Sequence, residues 1–227
     1  INYPLAMALR GVGRKADADP LLATRGTAAP ALEDPLLQSA SIVLDSAVSY
    51  EGLGMEALRR QDWTGAQKAF RRGLEVAPSD PSLRYWLATA LIAGGNADAA
   101  EREFRTVVRE HPDYAKAHFS LGAVLDQRGR RDEALREYEA AVRTAPNMPD
   151  ARARLGEALR AQGRFKDAAA QFAEAVQLDP NQVPAWVGGA QVLSALGDAT
   201  ATRDWLTRAR RLHPANPALA RLESQLR

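Results

Sequence analysis

The chain has 227 residues, and its 30 Lys and Arg residues face 28 Asp and Glu residues, so the formal net charge is only +2. Arg and Glu alternate along the sequence, whereas nucleic-acid-binding proteins concentrate basic residues on one face, so we expect no nucleic-acid partner. The sequence has no cysteine and no apolar run of about 18 residues, which excludes disulfides, thiolate sites and a membrane span. These features predict a soluble protein, in the cytoplasm or the periplasm, and do not choose between them.

Several residue types recur every 34 positions in one register. Proline recurs at Pro78, Pro112, Pro146, Pro180 and Pro214. Leucine recurs at Leu53, Leu87, Leu121 and Leu155, each followed by Gly or Ala. An aromatic residue recurs at Phe70, Phe104, Tyr138 and Phe172, and glycine recurs at Gly95, Gly129, Gly163 and Gly197. Parallel series of this kind indicate an internal structural repeat.

Each repeat contains two stretches with the spacing of amphipathic helices. In the third repeat, Leu121 and Leu125 belong to the first stretch, and Ala134 and Tyr138 belong to the second. Gly129 suits a left-handed turn between them, and a proline ends the second helix. Helices of about 12 residues are marginal alone in water, so we expect them to be stabilised by stacking on one another, with the recurring residues in the core.

The segment HFSLGAVLDQRGRRDEALREYEAAVRTAP, which ends at Pro146, resembles the tetratricopeptide repeat, whose pattern is W-x2-L-G-x2-Y followed by A, F and P. The resemblance implies an all-α fold, a right-handed α-solenoid of helix-turn-helix hairpins with a C-terminal capping helix. It also implies a non-catalytic protein–protein interaction scaffold. The Ala- and Arg-rich, Lys-poor composition suggests a bacterial source.

Five full repeats are predicted at residues 47–80, 81–114, 115–148, 149–182 and 183–216. The fifth is divergent, with Gly189, Thr202 and Leu206 at the leucine, alanine and aromatic positions. Residues 1–32 resemble a truncated, degenerate hairpin, and because the chain starts at Ile1 we expect a fragment or a processed product. Residues 33–46 form an insertion, either a spacer helix or a contact site, and residues 217–227 are predicted to be the capping helix.

In tetratricopeptide arrays the first helix of each repeat lines the concave face, so the resemblance places a partner-binding groove on these helices. The candidate groove residues are Glu51, Met55, Arg59, Tyr85, Trp86, Thr89, Lys116, Phe119, Ser120, Asp126, Arg154, Glu157, Arg160 and Gln191. The aromatic residues among them are not required by the repeat pattern. Together with Arg154 and Arg160 they suit a peptide with apolar anchors and an acid, although Trp86 could instead pack against an adjacent helix.

One variant of the family binds acidic chaperone tails through Lys, Asn and Arg on successive first helices. Here Glu51 and Met55, or Tyr85 and Thr89, stand where the Lys and Asn are needed, and only Arg154 matches. The sequence therefore disfavours a receptor for chaperone tails.

No motif typical of catalysis or metal binding stands out in the sequence. The segment GVGRK at residues 11–15 lacks the spacing of a phosphate-binding loop. His111, His118 and His213 do not have metal-ligand spacing, and Asp132 with Glu133 is expected to be a solvated helix start. We therefore predict no catalytic residue, no metal site and no cofactor.

Three functional hypotheses stay open. The first is a scaffold that binds a partner protein or peptide in the groove. The second is a C-terminal adaptor or assembly module of a longer chain or complex, whose other part carries catalysis or a redox cofactor. The third is self-association through edge hairpins, which would make the array its own partner.

Overall fold

The structure is a computed structural model that describes residues 46–225. The predicted hairpin at 1–32 lies outside the described residues, as do the insertion up to residue 45 and the last two residues of the predicted capping helix. Between these limits the chain forms α-helices and no strands. The helices are α1 (Ala47–Arg59), α2 (Trp63–Val76), α3 (Pro81–Ala93), α4 (Ala97–Glu110), α5 (Ala115–Gln127), α6 (Arg131–Thr144), α7 (Pro149–Ala161), α8 (Phe165–Leu178), α9 (Val183–Ala195), α10 (Ala199–Leu212) and α11 (Pro217–Gln225).

The described helices fall into two compact units. The first unit holds α1, α2 and α3 and ends at Asn96, and the second holds α4 to α11 and begins at Ala97. Within each unit, helices that follow one another along the chain also pack against one another. The predicted repeat 81–114 contributes α3 to the first unit and α4 to the second.

Local sequence signals explain where several helices begin. Asp80 accepts hydrogen bonds from the backbone N–H groups of Ser82 and Leu83, and Pro81 occupies the first turn of α3. Asn216 caps α11 in the same way, ahead of Pro217. Asp150 lies within the first turn of α7, where its negative charge interacts favourably with the helix dipole.

The first unit packs around a buried aromatic ring. Phe70 on α2 lies so close to Gly54 on α1 that a Cβ on this glycine would be 2.3 Å from the ring, which explains the small residue there. The prediction that Leu53 belongs to the core is wrong, because its side chain is 57% exposed. The leucine series is buried in the three later repeats, at Leu87, Leu121 and Leu155.

The second unit repeats the same arrangement. The ring of Tyr138 packs on Gly122, and the ring of Phe172 packs on both Gly156 in its own hairpin and Gly188 in the next one. All of these glycines are buried, and a Cβ on any of them would lie under 3.0 Å from a ring. The aromatic series therefore packs together the two helices of a hairpin, and Phe172 also packs its hairpin on the next one.

The divergent fifth repeat compensates for its missing leucine. Gly189 stands at the leucine position, and a Cβ there would lie 2.3 Å from the indole of Trp205 on α10. Trp205 donates a hydrogen bond from Nε1 to the carbonyl oxygen of Trp186 at 2.8 Å, and the two ring centroids are 4.8 Å apart. The indole thus takes the space that a leucine side chain takes in the earlier repeats.

A recurring hydrogen bond ties each of four repeats to the loop before it. The fourth residue of the repeat donates to the carbonyl of the proline six positions earlier. The four bonds are Arg84 Nη2 to Pro78 (2.7 Å), His118 Nε2 to Pro112 (3.1 Å), Arg152 Nε to Pro146 (2.7 Å) and Trp186 Nε1 to Pro180 (2.8 Å). The carbonyl at the turn is satisfied each time, although three residue types supply the donor.

The last helix covers the end of the second unit. α11 packs against α9 and α10, and its Leu219 is fully buried. The other residues of this helix are exposed or half-buried. A terminal helix with one apolar and one polar side is what an open array of hairpins requires at its end.

Candidate functional site

The first unit presents an aromatic pair on α3. The rings of Tyr85 and Trp86 are half-buried and meet edge to face, with centroids 5.1 Å apart. Thr89, one turn further along, donates its hydroxyl to the carbonyl of Tyr85 at 3.0 Å. On α1, Met55 is 38% exposed. Tyr85, Trp86 and Thr89 thus combine apolar and polar groups on α3, and Met55 adds an exposed apolar side chain on α1.

The charged candidates of the first unit are already engaged. Glu51 accepts a hydrogen bond from the hydroxyl of Ser82 at 2.7 Å, which links α1 to α3. Arg59 pairs with Glu56 one turn earlier in its own helix. Neither charge is therefore available without breaking an existing contact.

In the second unit, α5 carries an aromatic residue and two unpaired charges. Phe119 is half-buried, and its ring centroid lies 6.1 Å from that of Tyr138. Lys116 and Asp126 are exposed, and neither forms an ion pair with any residue between 46 and 225. Ser120, beside Phe119, is half-buried.

The two arginines of α7 among the candidate groove residues differ in availability. Arg160 donates from Nε and Nη2 to the carboxylate of Glu157, at 3.0 and 2.7 Å, so its charge is matched within its own helix. Arg154 is exposed and has no ion-pair partner within the described part of the chain. On α9, Gln191 is exposed. Both arginines were expected to be available to an acidic group of a partner, but within the described residues only Arg154 is unpaired.

The structure adds one polar atom that the sequence did not single out. The hydroxyl of Tyr138 is buried and has no hydrogen-bond partner among the described residues. Burial raises the pKa of Tyr138 to about 12, and the carboxylate of Asp126 adds to this rise while Arg154 opposes it. Tyr138 is the one tyrosine in the aromatic series, and this was the signal available in the sequence.

A cluster of ion pairs connects α4, the turn after α5, and α6. Buried Glu101 accepts hydrogen bonds from Arg105, Arg128 and Arg130 at 2.7 to 2.9 Å. Burial alone would raise the pKa of Glu101, but the hydrogen bonds from Arg105 and Arg130 outweigh it and lower that pKa. Because the three arginines match the buried carboxylate, we assign the cluster to packing between hairpins.

Glu133 belongs to this cluster, which corrects the expectation of a solvated helix start. Arg130 and Arg105 both donate to its carboxylate, and these hydrogen bonds hold the pKa of Glu133 at about 2. Its neighbour Asp132 is exposed and accepts a hydrogen bond from Gln162 at 2.9 Å. Arg130 is only three residues before Glu133, but Arg105 comes from the preceding repeat, and the sequence alone does not show that it reaches Glu133.

Residues 46–225 were also compared with the requirements of a metal site and of a membrane span. No group of three or more His, Asp or Glu residues within residues 46–225 is placed to hold a metal ion. Over the same range, every helix is too short or too polar to cross a lipid bilayer.

The packed helical hairpins define the class of protein, an all-α helical solenoid, in which helices that follow one another along the chain pack together within each unit. A family model described as Tetratricopeptide repeat matches residues 52–115, 87–149 and 124–183, and a second model with the same description matches residues 159–226. These matches extend over more than half of the chain. The chain belongs to the tetratricopeptide repeat family, whose members are in general non-catalytic interaction scaffolds.

Several solved structures share this fold. PilF of Pseudomonas aeruginosa has a TM-score of 0.69 at 20% identity, over 79% of this chain and 82% of that one. YrrB, described as a TPR protein with an unusual peptide-binding site, has a TM-score of 0.67 at 19% identity, over 82% and 97%. MamA of Desulfovibrio magneticus RS-1 has a TM-score of 0.64 at 23% identity, over 75% and 97%. No curated protein matches the sequence.

Proposed function

We propose that this chain is a non-catalytic scaffold that binds a segment of a partner protein along the first helices of its second unit, α5, α7 and α9. The observation that carries the proposal is Phe119, a half-buried aromatic residue on α5 with unpaired charges beside it in the same unit. The description of YrrB, which has a peptide-binding site on the same fold, supports this kind of function.

Phe119 has the properties of a binding anchor. The repeat pattern does not require an aromatic residue there, since the equivalent residues Tyr85, Ala153 and Val187 differ in size and polarity. The ring rests against Tyr138, which limits its mobility and lowers the entropy lost when a partner covers it. Aromatic residues fixed in this way contribute a large share of binding energy in protein interfaces.

The charges around Phe119 indicate which polar groups a partner segment would carry. Lys116, Asp126 and Arg154 are exposed and lack ion pairs within residues 46–225, and they include both signs. A partner segment with one apolar side chain and polar groups on either side would match this surface. The surface does not favour a strongly acidic segment, because Glu157 already neutralises Arg160 and because Asp126 would repel it.

The proposal can be tested with peptides displayed as a library of linear sequences and selected on the full chain. Selected peptides, once synthesised, should bind the wild-type chain, and Phe119→Ala should weaken that binding by about tenfold or more, which is the loss expected of an anchor residue. Fluorescence anisotropy of labelled peptides measures the dissociation constants.

Leu178→Ala is the matched control. Leu178 is a large apolar residue that is 39% exposed, but it lies on α8, a second helix. It should leave peptide affinity unchanged, and circular dichroism should show that both variants keep their helices. Equal binding by the Phe119→Ala variant and the wild type would contradict the proposal.

A further inference from the structure

The C-terminal end of the second unit holds an open cavity with a volume of about 430 Å³. Its lining includes Gly197 in the turn between α9 and α10, Leu206 on α10 and Glu223 on α11. None of the residues that line it lies on α5 or α7. The volume falls within the range of about 300–1,000 Å³ that is typical of ligand pockets, so the cavity can receive a side chain of a partner.

Part of the cavity wall is apolar or has hydrogen-bond donors that are already in use. Leu206 is 4% exposed, and Ala199 adds a methyl group. The hydroxyls of Thr202 and Thr207, which also line the cavity, donate to backbone carbonyls one turn earlier at 2.7 and 2.8 Å. Because these donors are already used, this part of the wall suits an aliphatic side chain better than a hydrogen-bond acceptor.

The repeat register also favours an aliphatic occupant. Leu87, Leu121 and Leu155 are buried at one register position, and Glu223 stands at the same position two repeats after Leu155. Its carboxylate forms an ion pair with Arg210 at 3.6 Å. At this wall of the cavity the register thus supplies a carboxylate where the earlier repeats supply a leucine.

The exposed face of α10, beside the cavity, is basic. This helix has four arginines and one aspartate, whereas α4, α6 and α8, the other second helices of the unit, each have more acidic than basic residues. Arg203, Arg208 and Arg211 are exposed and form no ion pair within residues 46–225. Arg203 also lines the cavity. Asp204 is the one acidic residue among them, so positive charge remains in excess on this face.

We propose that the cavity and the three exposed arginines of α10 form a second interaction surface, which binds an acidic segment of a partner protein through one aliphatic side chain. The aliphatic side chain enters the cavity, and acidic residues beside it in the segment pair with Arg203, Arg208 and Arg211. Arg203 and Arg211 are eight positions apart, which is about 12 Å along the helix axis, so several residues of an extended segment can reach them.

Other partners match this surface less well. A basic segment would be repelled by the three arginines, and an apolar segment would leave their charges unmatched. The head groups of an anionic lipid surface would meet the arginines but would leave the cavity unfilled. An acidic segment with one aliphatic residue satisfies both the charge and the cavity.

The charge is tested with a library of displayed linear peptides. The library is selected on the full wild-type chain and counter-selected on the Arg203→Gln/Arg208→Gln/Arg211→Gln variant. The peptides that remain should contain an aliphatic residue flanked by Asp or Glu. Fluorescence anisotropy should show that the triple variant binds them at least about tenfold more weakly, and that the affinity of the wild type falls as salt is added.

Ala199→Leu tests the cavity. Ala199 is exposed and lines the cavity, so a leucine there fills part of the space with an aliphatic side chain of the chain itself. This change should weaken binding of the selected peptide by about tenfold, and it should have little effect once the aliphatic residue of the peptide is replaced by Ala. Such non-additivity assigns the aliphatic residue to the cavity, which a general loss of structure would not do.

Arg136→Gln is the matched control, since Arg136 is an exposed arginine on α6 that has no ion pair within the described part of the chain. Arg136→Gln should leave the affinity unchanged, and so should Phe119→Ala, because the two surfaces are separate. Circular dichroism should show that every variant keeps its helices.

Three results would overturn the proposal in favour of another occupant. Arginine-dependent binding of phosphatidylcholine–phosphatidylserine vesicles, with no peptide selected, would assign the surface to a membrane. A dimer that light scattering detects in the wild type and not in the triple variant would assign it to a second copy of the chain. Selection that succeeds only on a chain ending at Gln225 would show that the last two residues of the chain fill the cavity. Peptides that lack either the acidic or the aliphatic residues would also contradict the proposal.

Discussion

His118 differs chemically from the other residues that bind the proline carbonyls. Its Nε2 donates to Pro112, and its Nδ1 donates to the carboxylate of Glu137 at 2.6 Å. Both partners can only accept, so the ring must carry a proton on each nitrogen for both bonds to form. The hydrogen bond to Glu137 raises the pKa of His118 above its ordinary value of 6.5, although burial opposes this.

Around neutral pH, stability should therefore depend on the protonation of His118. Because the pKa in the folded chain is raised above 6.5, the contribution of His118 is fully present below pH 6.5 and is lost as the pH rises through the folded-state value. We expect His118→Gln to lower the free energy of unfolding by about 1–2 kcal/mol below pH 6.5 and by less at higher pH.

Urea unfolding of both forms across this pH range measures the difference. His111→Gln is the control, since His111 lies in the loop that ends at Tyr114, outside the buried contact of His118 with Glu137. If the free energies of unfolding of the wild type and His118→Gln differ by the same amount at every pH, His118 is neutral in the folded chain.

Among the helices and turns, the glycine series was predicted correctly as left-handed turns. Gly95, Gly129, Gly163 and Gly197 all have positive φ, between 73° and 81°. Gln61 stands at the equivalent position between α1 and α2, with φ of 60°. A residue with a Cβ is strained in this conformation, so the first turn is less favourable than the later ones.

Gln61→Gly should raise the free energy of unfolding by about 0.5–1 kcal/mol, because the relief of backbone strain exceeds the added chain entropy of glycine. The reverse change in a later turn, Gly129→Gln, should lower it by a similar or larger amount. Chemical denaturation followed by circular dichroism measures both. A Gln61→Gly variant that is less stable than the wild type would mean that the glutamine side chain makes a stabilising contact.

The sequence was sufficient to predict the helices because each of them follows the repeat register. Helix α3 begins at Pro81 and α11 at Pro217, where the predicted repeat 81–114 and the predicted capping helix 217–227 begin. The replacement of a leucine by Trp205 in the fifth repeat was not predictable in the same way. Gly189 signalled a missing side chain, but only the fold shows which residue takes its place.

The candidate site was less predictable than the fold. The register places residues on the first helices, but it does not say which charges are already matched by others. Arg160 is paired with Glu157 one turn away, whereas Arg154 has no such partner within residues 46–225. The buried hydroxyl of Tyr138 depends on contacts between separate helices, which periodicity does not describe.

At the scale of the molecule, the stability of a repeat array is a sum of local contributions from neighbouring hairpins. Leu219→Ala should therefore destabilise mainly α9, α10 and α11, by about 2–5 kcal/mol for loss of a fully buried leucine. We expect hydrogen exchange to accelerate in these helices and to change little in α4 to α6.

Leu212→Ala provides the control, because Leu212 is nearby at the end of α10 but is 51% exposed. Hydrogen exchange with mass spectrometry of peptides from each helix gives the comparison. Uniform acceleration throughout the second unit would show that it unfolds as a single cooperative block instead of from its end.

The bond between each proline carbonyl and the next helix has a consequence for how such a chain can vary. Arginine, histidine and tryptophan all supply the donor here, so this hydrogen bond requires an N–H group but not a particular amino acid. Substitutions that preserve this hydrogen bond can accumulate without altering the architecture. Chains that are 19% or 20% identical to this one keep the same fold. A hydrogen bond that needs a donor atom but not a particular amino acid is compatible with such divergence.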